Sequence, residues 1–204
     1  MKKLNYNNLH SHIINTFILG ILWGVLEIFA DSFLAPNNIY TKGLIFSFIA
    51  VLVLIFSKQI VNYKFSLLFV ALIALILILS SKGFSTNILI AIFSEALIAE
   101  FISLSLKNNN ITSMAIGALI FLYSFIHGLI FHGSLPGSYI TYLYRDMFTS
   151  IFGAGLTENI TVIILFWGLI SIIAGVLSGW LSWRITLKFY QSFNSGINKY
   201  FIAE

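Results

Sequence analysis

Acidic side chains occur inside apolar segments that are long enough to cross a membrane. Glu27 and Asp31 lie four residues apart in the first such segment, Glu95 and Glu100 lie five apart in the fourth, and Glu158 precedes the last. An ionised side chain at the centre of a bilayer costs about 2.5–3.5 kcal/mol on insertion scales. Such side chains usually face a wet cavity or a partner group, so this set indicates a polar pocket inside a helical bundle.

The spacing of the acids assigns them different places on their helices. Glu27 and Asp31 share one helix face, with Trp23 one turn before them. Two like charges at this distance repel, so either one carboxyl is protonated or a cation lies between them; alternatively, Asp31 lies at the water interface. Glu95 and Glu100 are about 140° apart around their helix. We expect Glu95 to line the pocket and Glu100 to make a structural hydrogen bond or a subunit contact.

Two histidines and an arginine complete the candidate site. His127 and His132 are five residues apart, whereas two zinc-binding histidines on a helix are four apart, so we predict no metal site. The alternative for each histidine is a hydrogen-bonded place in the core. The predicted substrate-binding residues are Trp23, Glu27, Asp31, Glu95, His127, His132 and Arg145.

The composition predicts the elements that position these residues. The chain is 59% hydrophobic and 9% charged, which is typical of a polytopic membrane protein. We predict an all-α membrane protein, residues 1–204 forming one domain of six transmembrane helices in one bundle. The predicted spans are 13–34, 40–61, 63–81, 86–106, 112–132 and 159–183. The absence of cysteine excludes disulfides and thiolate chemistry.

The basic residues predict the orientation. Eight of the 11 lysines and arginines fall at the two termini and in the loops after the second and fourth spans, and three fall in the other loops. By the positive-inside rule, both termini are cytoplasmic and the protein lies in the cell membrane. The basic residues occur singly, so we predict no nucleic-acid binding.

The outer loop between the fifth and sixth spans carries its own helix. Ile140, Leu143, Met147, Phe148 and Ile151 recur at helical spacing, which predicts a short amphipathic helix on the membrane surface. Structured loops of this length often act as lids. A surface helix without a gating function is the alternative.

Small residues four apart allow helices to approach closely. Gly20 and Gly24 have this spacing on the first helix, and Ser171, Gly175 and Gly179 have it on the last. The two alternatives are packing within the chain and docking onto another membrane subunit.

Six short spans, about 200 residues, both ends inside and polar groups toward the outside together resemble the S-component of energy-coupling factor (ECF) transporters. That resemblance implies capture of a vitamin or vitamin precursor and release driven by partner ATPases. It also implies that Gly20 and Gly24 contact a transmembrane coupling subunit, with lipid around the bundle. The chain has Lys2 where nickel and cobalt S-components have histidine, so the substrate does not carry over.

We therefore expect a substrate-binding importer subunit that is not an enzyme and needs no cofactor, and whose ligand is a small cationic or amine-bearing molecule. No nucleotide-binding G-x-x-x-x-G-K-[ST] motif occurs, so energy would come from other subunits. One alternative is an intramembrane enzyme with Glu95 or Glu27 as base and His127 or His132 as acid or metal ligand. The other is a structural or assembly subunit whose acids bond neighbouring helices.

Overall fold

The computed structural model describes residues 6–34, 39–61, 63–133, 139–153 and 160–201, with side chains over 12–34, 42–61, 63–131, 144–151 and 161–189. Over these ranges the chain forms seven α-helices and no strand. The helices are α1 (Tyr6–Phe33), α2 (Ile39–Ile60), α3 (Ser66–Lys82), α4 (Thr86–Ser105), α5 (Asn110–Gly133), α6 (Tyr139–Phe152) and α7 (Ile160–Phe201).

Five helices in this part of the chain are long and apolar enough to cross a membrane. Their apolar segments are His12–Phe33, Lys42–Ile60, Thr86–Ser105, Asn110–Phe131 and Thr161–Phe189. The all-helical multi-pass character predicted from composition is therefore confirmed. The predicted number of six is not reached by this criterion, because α3 is apolar but has only 17 residues. The last apolar segment also runs six residues beyond the predicted end at 183.

Apolar helices that follow one another in the chain alternate in direction, and α2 contacts most of the others. Helices α1 and α3 run parallel, because Gly20 packs on Val70 and Ile73 and Gly24 packs one turn further along. Helix α2 runs the opposite way and contacts α1, α3, α4, α5 and α7. The buried core between them contains Trp23, Val51, Leu54, Val70, Ala74, Ala96 and Ile120.

Helices α5 and α7 cross with their backbones in contact. A Cβ built on Gly117 would overlap the backbone of Gly175, and one built on Gly179 would overlap the backbone of Ser113. The small-residue spacing on α7 therefore permits backbone contact with α5, as small residues do between membrane helices. Of the two alternatives for this motif, the structure shows packing within the chain.

The predicted amphipathic helix between the last two spans is confirmed as α6. Its residue Phe148 is buried, and the Phe148 ring meets the ring of Phe166 edge-on with centroids 5.3 Å apart. Arg145 and Asp146 are exposed on the other side. Helix α6 thus covers the end of the α5–α7 pair with its apolar face.

Charged side chains mark the two ends of the bundle. At one end, where α1 and α3 finish and α2 begins, Asp31 pairs with Lys42 and Lys82. At the other end, where α2 finishes and α3 begins, Glu100 pairs with Lys58. We call these the Asp31 end and the Glu100 end; helix α6 lies at the Asp31 end.

Candidate functional site

A cavity of about 130 Å³ lies between α2, α5, α6 and α7 at the Asp31 end. Its walls are mainly apolar and aromatic, and three serine hydroxyls interrupt them. The aromatic members are Phe121, Phe125, Tyr144 and Trp167, and the serines are Ser47, Ser124 and Ser171. Gly43 and Gly128 line it as well, and because neither carries a side chain they leave room for it.

The aromatic wall is held by contacts between α5, α6 and α7. The Tyr144 ring of α6 meets the Phe125 ring of α5 edge-on, with centroids 5.6 Å apart, and lies 5.7 Å from the Trp167 ring of α7. The Trp167 indole Nε1 donates a hydrogen bond of 3.2 Å to the backbone oxygen of Tyr144. This bond joins α6 to α7 directly beside the cavity.

Ser47 places an unused hydrogen-bonding group at the cavity. Its side chain is 1% exposed, and its Oγ has no hydrogen-bond partner among the described residues. Ser171 differs, because its hydroxyl donates to the backbone oxygen of Trp167 at 2.9 Å. A buried hydroxyl without a partner costs about 1–3 kcal/mol, so the Ser47 hydroxyl would gain from a ligand that bonds to it.

The described part of the cavity wall carries no charge. Among the described residues that line it, none is Asp, Glu, Lys, Arg or His. Tyr144 is the weakly acidic group of this described lining, and burial raises the pKa of its phenol to about 12. The phenol therefore stays uncharged at any physiological pH, and the described wall offers hydrogen bonds and ring faces but no counter-ion.

Asp31 is an ion-pair residue in the structure. Its Oδ1 lies 3.1 Å from Nζ of Lys42, and its Oδ2 lies 3.0 Å from Nζ of Lys82. One carboxylate thereby joins α1, α2 and α3. The sequence suggested a like-charge pair with Glu27, and the lysines are what compensate the Asp31 charge.

Glu27 and Glu95 are buried and interact electrostatically with each other across the bundle. Glu27 accepts a hydrogen bond of 2.6 Å from the Trp23 indole, which is also fully buried. No described residue donates a hydrogen bond to the Glu95 carboxyl. Three predicted site residues, Trp23, Glu27 and Glu95, therefore do come together, but in the α1–α4 part of the bundle and not at the cavity.

Glu100 has the structural function expected from its position on α4. It accepts hydrogen bonds from the backbone N–H groups of Phe65 and Leu67, at 2.9 and 3.0 Å, and from the Lys58 ammonium at 3.1 Å. Phe65 has a left-handed backbone (φ 64°), so the α2–α3 turn is tight. The carboxylate caps the first turn of α3 and neutralises a buried lysine.

Two other predicted site residues, His127 and Arg145, do not line the cavity. The His127 ring packs against the rings of Tyr123 and Phe131, with centroids 5.6 and 4.4 Å away, on the face of α5 that turns from the cavity. Arg145 is exposed on α6. The side chain of His132, and Glu158, lie outside the described residues. No group of three potential metal ligands occurs within the described ranges.

Gly20 and Gly24 face α3 and are buried. A Cβ on Gly20 would lie 2.6 Å from the Ile73 Cβ, and one on Gly24 would lie 3.1 Å from the Leu77 Cβ. The motif is thus used within the chain, which is the packing alternative considered for it. A partner subunit would reach these two glycines only if α3 moved away.

Ser47, Tyr144 and Trp167 are the site residues that the sequence did not single out. Hydropathy gives them little signal, because serine and aromatic residues also occur in ordinary membrane helices. One usable signal was the spacing of Tyr144 and Phe148 on the amphipathic loop helix, since that face must cover something.

Comparisons with protein-family models, with curated proteins and with solved structures found no match to this chain.

Proposed function

We propose that this chain is the substrate-binding subunit of a membrane importer and that the cavity under α6 holds the substrate. The observation that carries the proposal is Ser47, which lines a cavity walled by Tyr144 and Trp167 and whose buried hydroxyl has no partner among the described residues. Small-molecule sites combine apolar and aromatic walls with a few polar groups that fix the orientation of the ligand. The cavity has this composition.

The proposal includes six membrane crossings, with α3 as the third. Support comes from the ion pairs at the two ends of α3. Lys82, its last residue, is level with Asp31 and Lys42, and its first turn is level with Lys58 and Glu100. Lys42 and Lys58 bracket the apolar part of α2, so α3 covers the same depth as α2. Six crossings place both termini on one side, which the positive-inside rule makes the cytoplasm.

The amphipathic helix supports an importer over a purely structural subunit. Tyr144 and Met147 of α6 line the cavity, so α6 covers the cavity from the side that six crossings would make extracellular. A helix in this position would admit substrate when it moves and would exclude water when it packs. The hydrogen bond from Trp167 to α6 is the contact that such a movement would break.

The proposed partners are a transmembrane coupling subunit and ATPase subunits, as in the ECF transporters that the plan resembles. Because Gly20 and Gly24 pack on α3, contact through α1 would use an exposed face beside them. Phe17, Ile21 and Val25 are each about half exposed on that adjoining face. Lipid covers whatever part of it a partner does not.

Uptake by a strain that lacks the chain tests the proposal. The tagged full chain is purified from its own membranes, and a bound small molecule is identified by mass spectrometry. We expect one compound per chain, and ATP-dependent uptake of that compound that is lost on deletion and restored by the wild-type chain. Restoration by Trp167→Ala should be reduced. Unchanged uptake of every copurifying compound in the deletion strain would refute the importer function.

An assembly subunit is the second candidate. Asp31 and Glu100 each join three chain segments through ion pairs and hydrogen bonds, which is the use of intramembrane acids that this function requires. It differs from the importer in one measurable respect. An assembly subunit carries no bound compound, and Trp167→Ala leaves its complex intact.

A further inference from the structure

We infer that the cavity is built for an uncharged molecule with a single ring and one hydrogen-bonding group. This inference deepens the proposed function and rests on the cavity being its substrate site. It departs from the cationic ligand that the acidic residues suggested, because Glu27, Asp31 and Glu95 do not line the cavity.

Volume sets the size of the ligand. The cavity measures about 130 Å³. An engineered apolar cavity of roughly 150 Å³ in another protein holds one benzene molecule. A single six-membered ring with a small substituent therefore matches this space.

Charge sets the class of ligand. An isolated ionised group is strongly disfavoured in an apolar environment unless it is paired. None of the described residues that line the cavity could pair with it, and the phenol of Tyr144 stays neutral. Asp31, the acid predicted for the site that lies at this end of the bundle, is already paired with two lysines.

Hydrogen bonding and ring contacts set the orientation. The hydroxyl of Ser47 on α2 is buried and unpartnered, while the rings of Phe125, Tyr144 and Trp167 stand on the α5, α6 and α7 sides. Aromatic pairs prefer edge-to-face or offset contacts such as those already present here. A bound ring would extend this cluster and direct its polar substituent toward Ser47.

Three ring compounds of matched size test the inference: phenol, toluene and N-methylpyridinium. Toluene differs from phenol by lacking the hydroxyl and from N-methylpyridinium by lacking the charge. Binding to the purified full chain is measured as the saturable heat of titration. The Gly128→Val chain is the control for nonspecific partitioning of the compounds into detergent. Gly128 lines the cavity and a Cβ there meets no atom within 4 Å, so a valine side chain can occupy the cavity without a clash at its Cβ.

We expect phenol to bind most tightly, toluene about fivefold more weakly for the loss of one hydrogen bond, and N-methylpyridinium at least about tenfold more weakly. Ser47→Ala should weaken phenol binding about fivefold and leave toluene binding unchanged. Ser57→Ala is the matched control, since Ser57 is also a buried and unpartnered hydroxyl on α2 but does not line the cavity.

Three results would overturn the inference: N-methylpyridinium binding as tightly as phenol, equal effects of Ser47→Ala and Ser57→Ala on phenol, or no difference between wild type and Gly128→Val for any compound. Failure here is distinct from failure of the importer function. A chain that restores uptake but shows none of this selectivity refutes the ligand class alone, and a selective chain that restores no uptake refutes the importer alone.

Discussion

The ammonium of Lys82, the last residue of α3, lies 3.0 Å from the Oδ2 atom of Asp31, near the end of α1. Lys42, near the start of α2, lies 3.1 Å from the other oxygen of the same carboxylate. The three side chains are 24–35% exposed, and ion pairs with such access to water stabilise a fold by only about 0–1 kcal/mol. Their importance is geometric, because they place three helix ends at one level.

Cysteine accessibility tests the crossing of α3 that this geometry supports. The chain has no cysteine of its own, so all labelling of a single-cysteine variant comes from the introduced residue. Lys64, before α3, and Phe84, after it, are both exposed. In intact cells we expect a membrane-impermeant maleimide to label Phe84→Cys and to label Lys64→Cys only after permeabilisation. Equal labelling of both from one side would contradict the crossing.

The two ends of the bundle should respond very differently to loss of their acids. Glu100→Ala leaves the buried Lys58 charge and the N–H groups of Phe65 and Leu67 without a partner. Removing one partner of a buried ion pair costs about 3–5 kcal/mol. Asp31→Ala, the matched control, should cost about 1 kcal/mol or less. Thermal unfolding in detergent measures both, and equal losses would contradict the assignment of Glu100.

Close packing of α5 on α7 predicts a large effect of one methyl group. In Gly175→Ala the new Cβ would overlap the Gly117 backbone, so the helices must separate. We expect a loss of about 1–3 kcal/mol, the usual cost of overpacking, seen as a lower Tm. Gly128→Ala, on the same helix pair but facing open space, should leave the Tm nearly unchanged. A similar Tm for both variants would show that the crossing is looser than described.

Alkaline titration reports on the packing of Tyr144. Burial raises the pKa of its phenol from 10.0 to about 12. Above pH 10 the unfolded chain loses this proton while the folded chain keeps it. The contribution to stability is therefore complete below pH 10 and is lost as the pH rises toward 12. Ultraviolet titration should show a late-ionising tyrosine in the wild type that is missing in Tyr144→Phe; identical curves would contradict its burial.

Substitution of the buried acids separates them from the cavity. Glu95→Gln removes a carboxyl that interacts with Glu27 and has no described donor, so we expect an unchanged or higher Tm. Phenol binding should not change in either Glu95→Gln or Glu27→Gln, since neither residue lines the cavity. A loss of phenol binding in Glu27→Gln, with folding intact, would show that the binding site includes the acids predicted from the sequence.

Much of the fold follows from the residues alone. Apolar segments of about 20 residues predicted the helices, and the periodicity of Met147, Phe148 and Ile151 predicted α6. The position of Glu100, on another face of α4 from Glu95 and closer to the cytoplasmic end, indicated a structural hydrogen bond or a subunit contact, and the structure shows the hydrogen bonds. These predictions succeeded because they depend on local sequence and on the cost of burying polar groups in lipid.

The sequence did not predict which side of each helix faces the core and which faces lipid. In a membrane protein the lipid-facing and core-facing sides are both apolar, so hydropathy does not distinguish them. For this reason Trp23, Glu27 and His127 were predicted to share one chamber, although α5 turns His127 from the cavity and presents Phe121 and Phe125 instead. The pairing of Asp31 with lysines of other helices could not be predicted either, because those lysines lie 11 and 51 positions away in the chain.

Sequence by itself determined that this protein is a helical, multi-pass membrane protein with costly acids and a surface helix, since composition and period fix those properties residue by residue. Only the tertiary structure decided which polar groups are compensated and which remain unused. Asp31 and Glu100 are compensated by lysines of other helices, whereas the hydroxyl of Ser47, a residue that lines the cavity, has no partner among the described residues. The physical reason is that compensation depends on distances between helices, and those distances are set by packing.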